Sequence, residues 1–394
     1  MRDLIIYAST VEPVAVNQLY DLLAQPPFQG AKVRIMPDVH MGSGCVVGFT
    51  ATMGDMVIPN VIGVDIGCGM RTVRLGNINF SLERLDDFIK AHIPAGSDLR
   101  DSYADLKFVR QLHCYPELRQ HEKIYCSLGT LGGGNHFIEV DTDASTGELY
   151  LVIHTGSRNL GLQVAKIYQR QAVQACKGAA DRDKQEVHDR LVAEGRVADI
   201  PDALRELSKQ HAKMTKTPSE YCYLQGAEME AYLHDMRLCQ AFAASNREKI
   251  AEDILRFLGI HRAEAFDTVH NYIDGEGIIR KGAIAAHVGQ RVIIPMNMRD
   301  GCLLAVGKGN PDWNCSAPHG AGRLFSRGEA KQLFTEEEFK QTMEGIYTTT
   351  ATLSTIDESP MAYKPMEEIT ALIGETAEIE RIIKPVYNFK AGSV

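Results

Sequence analysis

Short apolar runs punctuated by Gly, Pro and Asp dominate the first third of the chain. Ala31–Met36, Val46–Thr52 and Met70–Leu75 are rich in β-formers and bounded by such residues, so each is predicted to be a strand. Leu149–Ile153 is a further strand that ends directly at His154, and a strand end places a polar side chain rigidly. From about Gly161 to Ile260 the period changes. Leu224, Met229, Leu233, Met236, Phe242 and Ile250 recur at spacings of helical faces, with charges interleaved. Inside this block, Asp181 to Lys216 is dense in charge and reads as a peripheral helical excursion with a solvated face. Strands return at Arg291–Ile294 and Cys302–Val306, and a helical C-terminal part is expected to end near Lys384. The pattern is that of an α+β protein. No internal repeat, low-complexity tract or Pro/Ser-rich linker interrupts it. Candidate polar ligands stand on both sides of the helical block. The block at about 161–260 is therefore read as inserted into one catalytic unit covering residues 1–394.

Composition narrows the function classes. The chain has 394 residues, 44% apolar and 24% charged, which is ordinary for a soluble globular protein, although length alone would suggest two or three domains. No signal peptide is expected from Met1–Tyr7, and no apolar run is long enough to cross a bilayer, so a cytoplasmic location is expected. Nine cysteines without regular spacing argue against a disulfide framework, and the lack of a CxxC pair argues against a zinc ribbon. Cys176 and Cys239 fit small buried hydrophobes. A net charge of −9 disfavours a globally basic nucleic-acid surface, but a cleft is local and bound divalent ions add charge that a residue count omits.

One segment departs from this bland picture. Val64-Asp65-Ile66-Gly67-Cys68-Gly69 sets a carboxylate and a thiol three residues apart. Taken alone it reads first as a turn, with Asp bonding its own backbone and Cys buried. Three histidines in glycine- or asparagine-rich settings change its weight: Asn135-His136, His154-Thr155-Gly156-Ser157-Arg158 and His270-Asn271. Carboxylate, thiolate and imidazoles together form a transition-metal ligand set. His136 follows Gly132-Gly133-Gly134, whose main-chain N–H groups can approach an anion, but no Walker lysine accompanies them. Arg158 suits either a surface ion pair or a phosphate fork. His319, in Pro318-His319-Gly320-Ala321-Gly322-Arg323, is either a helix-capping residue or a nucleophile beside cationic groups.

The ordered set Met36–His40, Val64–Met70, Leu128–Glu139, His154–Arg158, His270–Tyr272, Arg280–Ala283 and His319–Arg323, with Pro360–Lys364 and a closing Lys390-Ala391-Gly392, resembles the RtcB family of RNA ligases from about residue 30 onward. The resemblance implies an α+β fold with mixed β-sheets around a deep metal-containing cleft. It implies a GTP- and Mn²⁺-dependent enzyme joining an RNA 3′-phosphate or 2′,3′-cyclic phosphate to a 5′-hydroxyl end, in RNA repair or splicing. Asp65, Cys68, His136, His154 and His270 would then be metal ligands, with Cys68 shared between two ions. His319 would be the nucleophile that takes GMP, and Arg158 and Arg323 would contact phosphates. Asn135, Phe137, Glu139, Cys302, Gly320, Ala321, Gly322 and Lys390 would contact the guanylate. The S/N/O ligand set suits zinc on softness grounds, so Mn²⁺ rests on the resemblance alone.

One stretch departs from the family pattern. Where the family carries a Gly-Ser-Met-Gly-type turn, this chain reads Met296-Asn297-Met298-Arg299-Asp300-Gly301-Cys302, with Cys302 in place of a guanine-contacting serine. Altered nucleotide or RNA preference is expected there, in keeping with a divergent repair paralogue. The alternative to a ligase is a metal-dependent RNA phosphoesterase or nuclease without guanylation, which would have no need of the His319 segment.

Overall fold

Lys32–His40 is a strand buried from Val33 to Val39, and two of the buried residues, Arg34 and Asp38, are charged. Such residues need partners, because an unpaired buried charge costs several kcal/mol, on the order of 3 or more. Arg34 finds Asp3 at 2.8 Å, and Asp38 reaches the site described below. The computed structural model describes residues 3–213 and 217–392. In it this strand runs parallel to Asp3–Ile6 and antiparallel to Val47–Thr52, and the five-stranded sheet continues through Ile278–Lys281 to Asn271–Ile273.

A second sheet has seven antiparallel strands in the order Arg291–Asn297, Gly301–Gly307, Ala377–Lys390, Phe137–Asp143, Leu149–Thr155, Gly69–Gly76, Glu264–Val269. Its two edges curl together: Ile293 N donates to Thr268 Oγ1 at 3.3 Å. Met70, Phe137, Val152, Phe266, Ile293, Cys302 and Ile383 then share one interior cluster to which all seven strands contribute. The sheet is a nearly closed barrel.

The expected strands form; Val47–Thr52 is one residue shorter than its apolar run, and Gly69–Gly76, Leu149–Thr155, Arg291–Asn297 and Gly301–Gly307 extend beyond theirs. The helical block resolves into Arg158–Ala193, Ile200–Lys213 and Gly226–Phe257. Met229, Leu233, Met236, Phe242 and Ile250 lie on the buried face of the last helix, whereas Leu224 belongs to a two-residue strand just before it. Residues 183–209 of the charged stretch are mostly helical and largely exposed; residues 214–216 lie outside the described residues.

Two expectations need correction. The first third is not only strands and turns. It also carries the helices Pro13–Leu23, with proline in its first turn, and Leu82–His92, where Ser81 Oγ accepts from Arg84 N. The C-terminal helical part does not extend to Lys384. Its last α-helix is Met366–Leu372, and Ala377–Lys390 is a 14-residue strand in the middle of the barrel. Bulges between Leu304 and Ala305 and between Pro385 and Tyr387 shift its register, so the alternation that marks a strand is broken in the sequence. Among the described residues no helix is long and apolar enough to cross a membrane.

Candidate active site

Strand register assembles the ligand set. Phe137 pairs with His154, His154 with Met70, and Met70 with Thr268, forming one row across four adjacent strands. His136 stands just before the first of these strands, Cys68 just before the third and His270 just after the fourth. All therefore project from one end of the barrel. The turn carrying Asp65 and Cys68 is tied down by Gly67 N to Asn271 O at 2.8 Å, His270 N to Cys68 O at 3.0 Å and Ser157 Oγ to Ile66 O at 2.6 Å. Gly156 makes room for it, since a Cβ there would lie 2.1 Å from Asp65 Oδ1.

Two trios result, both containing Cys68. In each of Asp65–Cys68–His136 and Cys68–His154–His270 the ligand atoms lie within 4.8 Å of one another. Cys68 Sγ is 3.2 Å from His154 Nε2 and 3.5 Å from His136 Nε2, and the Nε2 atoms of His154 and His270 are 3.4 Å apart. The Nδ1 atoms face backbone carbonyls, Leu131 O at 2.9 Å for His136 and Asn135 O at 3.0 Å for His154, so each carries a proton there. This is the arrangement that orients a metal-binding imidazole. His136 Nε2 is meanwhile 2.9 Å from Asp65 Oδ2. With its proton on Nδ1 the ring presents its Nε2 lone pair beside the Asp65 carboxylate, where a cation would join the two. Burial keeps His154 and His270 well below their ordinary pKa and hence neutral, which leaves a lone pair on His154 Nε2 facing the thiol. Burial, then the Asp65 charge, pushes the Cys68 thiol well up, so a metal must displace its proton. The donor set fits a divalent transition ion.

His319 follows the short strand Ser316–Pro318, and its ring centroid lies 4.8 Å from that of His270. Nδ1 donates to Asp38 Oδ2 at 2.7 Å, and the same oxygen accepts the backbone N–H groups of His319 at 3.1 Å and Gly320 at 3.3 Å. In the neutral ring this tautomer puts the lone pair on Nε2. Gly322 takes φ +79°, and a Cβ there would lie 2.4 Å from Asp38 O, so the turn after His319 requires glycine.

A cleft of about 1280 Å³ joins these groups. Asp65, Cys68, His154, His270 and His319 line it, as do Asn135, Phe137, Glu139, Gly320, Ala321, Gly322, Arg323 and Lys390. Three expected site residues sit behind its wall instead. His136 lies under Asp65. Arg158, at φ +53°, places Nη1 3.3 Å from His136 Nδ1 and packs over Gly132. Cys302 is fully buried, with Sγ 3.8 Å from Glu139 Oε1. Arg323 is engaged by protein: it donates to Phe325 O, Asp357 O and Glu358 and lies over the Tyr363 ring.

A family model described as tRNA-splicing ligase RtcB matches residues 18–114 and 115–391. The chain belongs to the RtcB family. The RNA-splicing ligase RtcB of Escherichia coli K12 is 29% identical, with 95% of this chain and 94% of that protein covered. The tRNA-splicing ligases RtcB of Archaeoglobus fulgidus and Aeropyrum pernix are 27% and 26% identical, covering 92% and 89% of this chain.

Within this RtcB-family chain, the departing turn is self-contained. Asn297 Oδ1 accepts from Arg299 N and Asp300 N, Asp300 pairs with Arg299, and Met298 is buried against Phe339, Met343 and Ile356. Met296, Asn297 and Met298 reach the cleft. Several site residues give no local sign of their role. Asp38 lies within the matching segment Met36–His40 without a pattern of its own. Asn246 and Arg247 are wholly buried on the long helix; Asn246 Oδ1 accepts Gly129 N and Thr130 N, and Arg247 donates to Gly67 O and Thr155 O. Their signal was a polar pair interrupting an apolar helix face. Lys281, Arg327 and Glu358 also line the cleft.

Proposed function

We propose that this chain is a cytoplasmic, GTP- and Mn²⁺-dependent RNA ligase that joins 3′-phosphate or 2′,3′-cyclic phosphate ends to 5′-hydroxyl ends through a histidine–GMP intermediate, with residues 1–394 acting as one catalytic unit. The observation that carries it is His319, held through Nδ1 by Asp38 in the same cleft as two metal-type trios. Hydrolysis alone needs the trios but no such imidazole. Family membership and the names of the relatives support the reading.

Asp65, Cys68, His136, His154 and His270 would hold two divalent ions, which when bound neutralise phosphate charge and polarise phosphorus. The protein's own groups account for the remaining steps. His319 Nε2 attacks the α-phosphorus of GTP in line, a P–N bond forms, and pyrophosphate leaves. Asp38 keeps the proton on Nδ1 and stabilises the positive charge the ring acquires. An oxygen of the RNA 3′-phosphate then attacks the same phosphorus and releases His319. The 5′-hydroxyl attacks the activated 3′-phosphate, loses its proton and expels GMP. A cyclic phosphate is first opened by hydrolysis. Lys390, 2.5 Å from Glu358 and 5.5 Å from the Phe137 ring centroid, lines the cleft with Asn135 and Glu139, and these three would contact the guanylate.

The test is ligation with defined ends. An RNA bearing 3′-phosphate and 5′-hydroxyl ends should be joined only with GTP and Mn²⁺ present. Phosphate removal or strand cleavage without joining would instead favour the phosphoesterase reading.

A further inference from the structure

Glu139 and Asp141 stand two apart on the strand Phe137–Asp143, so both side chains enter the barrel interior. Glu139 is 2% exposed and Asp141 0%. With Cys302 they form a third buried group whose ligand-type atoms lie within 4.8 Å of one another. Glu139 is provided for: Asn388 Nδ2 donates to Oε2, the Cys302 thiol faces Oε1, and the side chain forms part of the cleft wall. Asp141 is not. No N–H or O–H group donates to either of its carboxylate oxygens, which face Glu139 and the Cys302 thiol instead.

Nothing among the described residues neutralises this second carboxylate. Cys302 faces the pair from Gly301–Gly307 and brings no positive charge, since burial, then the two carboxylates, pushes its thiol well up. Lys390 approaches Glu139 from Ala377–Lys390 but is committed to Glu358. Tyr150, opposite Asp141 on the neighbouring strand, donates its hydroxyl to Glu148. Two carboxylates this close in an apolar interior do not both ionise. Burial, then the Glu139 charge, drives Asp141 well above its ordinary pKa. Burial also raises Glu139, but its hydrogen bonds and Lys390 oppose the rise.

We propose that Asp141 is a positioning residue: at neutral pH it holds a hydrogen and donates it to Glu139, fixing that carboxylate as a charged, oriented acceptor at the floor of the cleft. The inference rests on the GTP reading above, since guanine presents two adjacent N–H donors to such an acceptor and adenine does not. It gives Cys302 a place as well, as a second donor behind Glu139 and not as a group that touches the base.

Two measurements test it on the full chain. Infrared difference spectra of wild type against Asp141→Asn at neutral pH should show the carbonyl stretch of one protonated carboxyl, lost in the variant. GTP titrations at neutral pH should show Asp141→Asn, which keeps a donor beside Glu139, binding close to wild type, and Asp141→Leu, which keeps none, binding roughly tenfold or more weaker. Absence of the carboxyl band, or Asp141→Asn binding GTP as weakly as Asp141→Leu, overturns the proposal. So does a metal equivalent lost in both Asp141→Asn and Cys302→Ser, which would put a cation where the proton is assigned. If the band is present but no GTP binds, the GTP reading fails and the shared proton stands.

Discussion

Asp38 and His319 lie 281 residues apart in the chain, yet carboxylate Oδ2 and ring Nδ1 meet at 2.7 Å. The contact fixes the tautomer and aims Nε2 into the cleft. Asp38→Ala should therefore slow guanylation roughly a hundredfold or more while leaving GTP affinity nearly unchanged. Single-turnover labelling at several GTP concentrations separates the two effects, and a change confined to affinity would contradict the positioning role.

Cys68 is common to both trios. Cys68→Ala should lose bound Mn²⁺ and guanylation together, as read by metal analysis of the purified protein. In the wild type, metal affinity should rise with pH, because burial and Asp65 hold the thiol protonated and the metal must displace that proton. Full metal content in Cys68→Ala would return the segment to an ordinary turn.

Gly156 leaves the space that Asp65 occupies. Gly156→Ala should displace the carboxylate and weaken metal binding about tenfold or more, while helix content measured by circular dichroism stays the same. Unchanged metal affinity would mean that Asp65 is not a ligand.

Glu358 is buried with Lys390, Arg323 and Arg327 around it. Burial works to raise its pKa, yet these cations hold it well below the carboxylate range. A depressed folded-state value means stabilisation that is complete above the unfolded pKa of about 4.3 and is lost as pH falls below it. Glu358→Gln should cost about 3 kcal/mol at neutral pH, because Lys390 is left buried and unpaired. It should also give a shallower acid limb in urea unfolding measured against pH. An acid limb as steep as wild type would assign the acid sensitivity to other carboxylates.

Local pattern revealed the strands around the site but not how they meet. Residues 32–40, 69–76 and 149–155 announce themselves because β-rich runs end at glycine, proline or a polar ligand. Ala377–Lys390 does not, because two bulges break its alternation and its exposed Ile382 stands next to buried Ile383. The five ligand candidates and His319 were legible as an ordered set of motifs. Their convergence was not, since it depends on one register row across four strands distant in sequence. Asp38 and Arg247 escaped for the same reason: a buried charge acquires its meaning from a partner that only the fold supplies. Cys302 is the converse case: its matching position suggests base contact, while the barrel buries the thiol beside Glu139.

His319 should carry a covalent guanylate during turnover. Incubation with GTP radiolabelled at the α-phosphate and Mn²⁺ should label the protein with an acid-labile, alkali-stable phosphoramidate, and His319→Ala should abolish the label while the variant still binds metal. Undiminished labelling of His319→Ala, or no labelling of a wild-type protein that binds both GTP and metal, would contradict it.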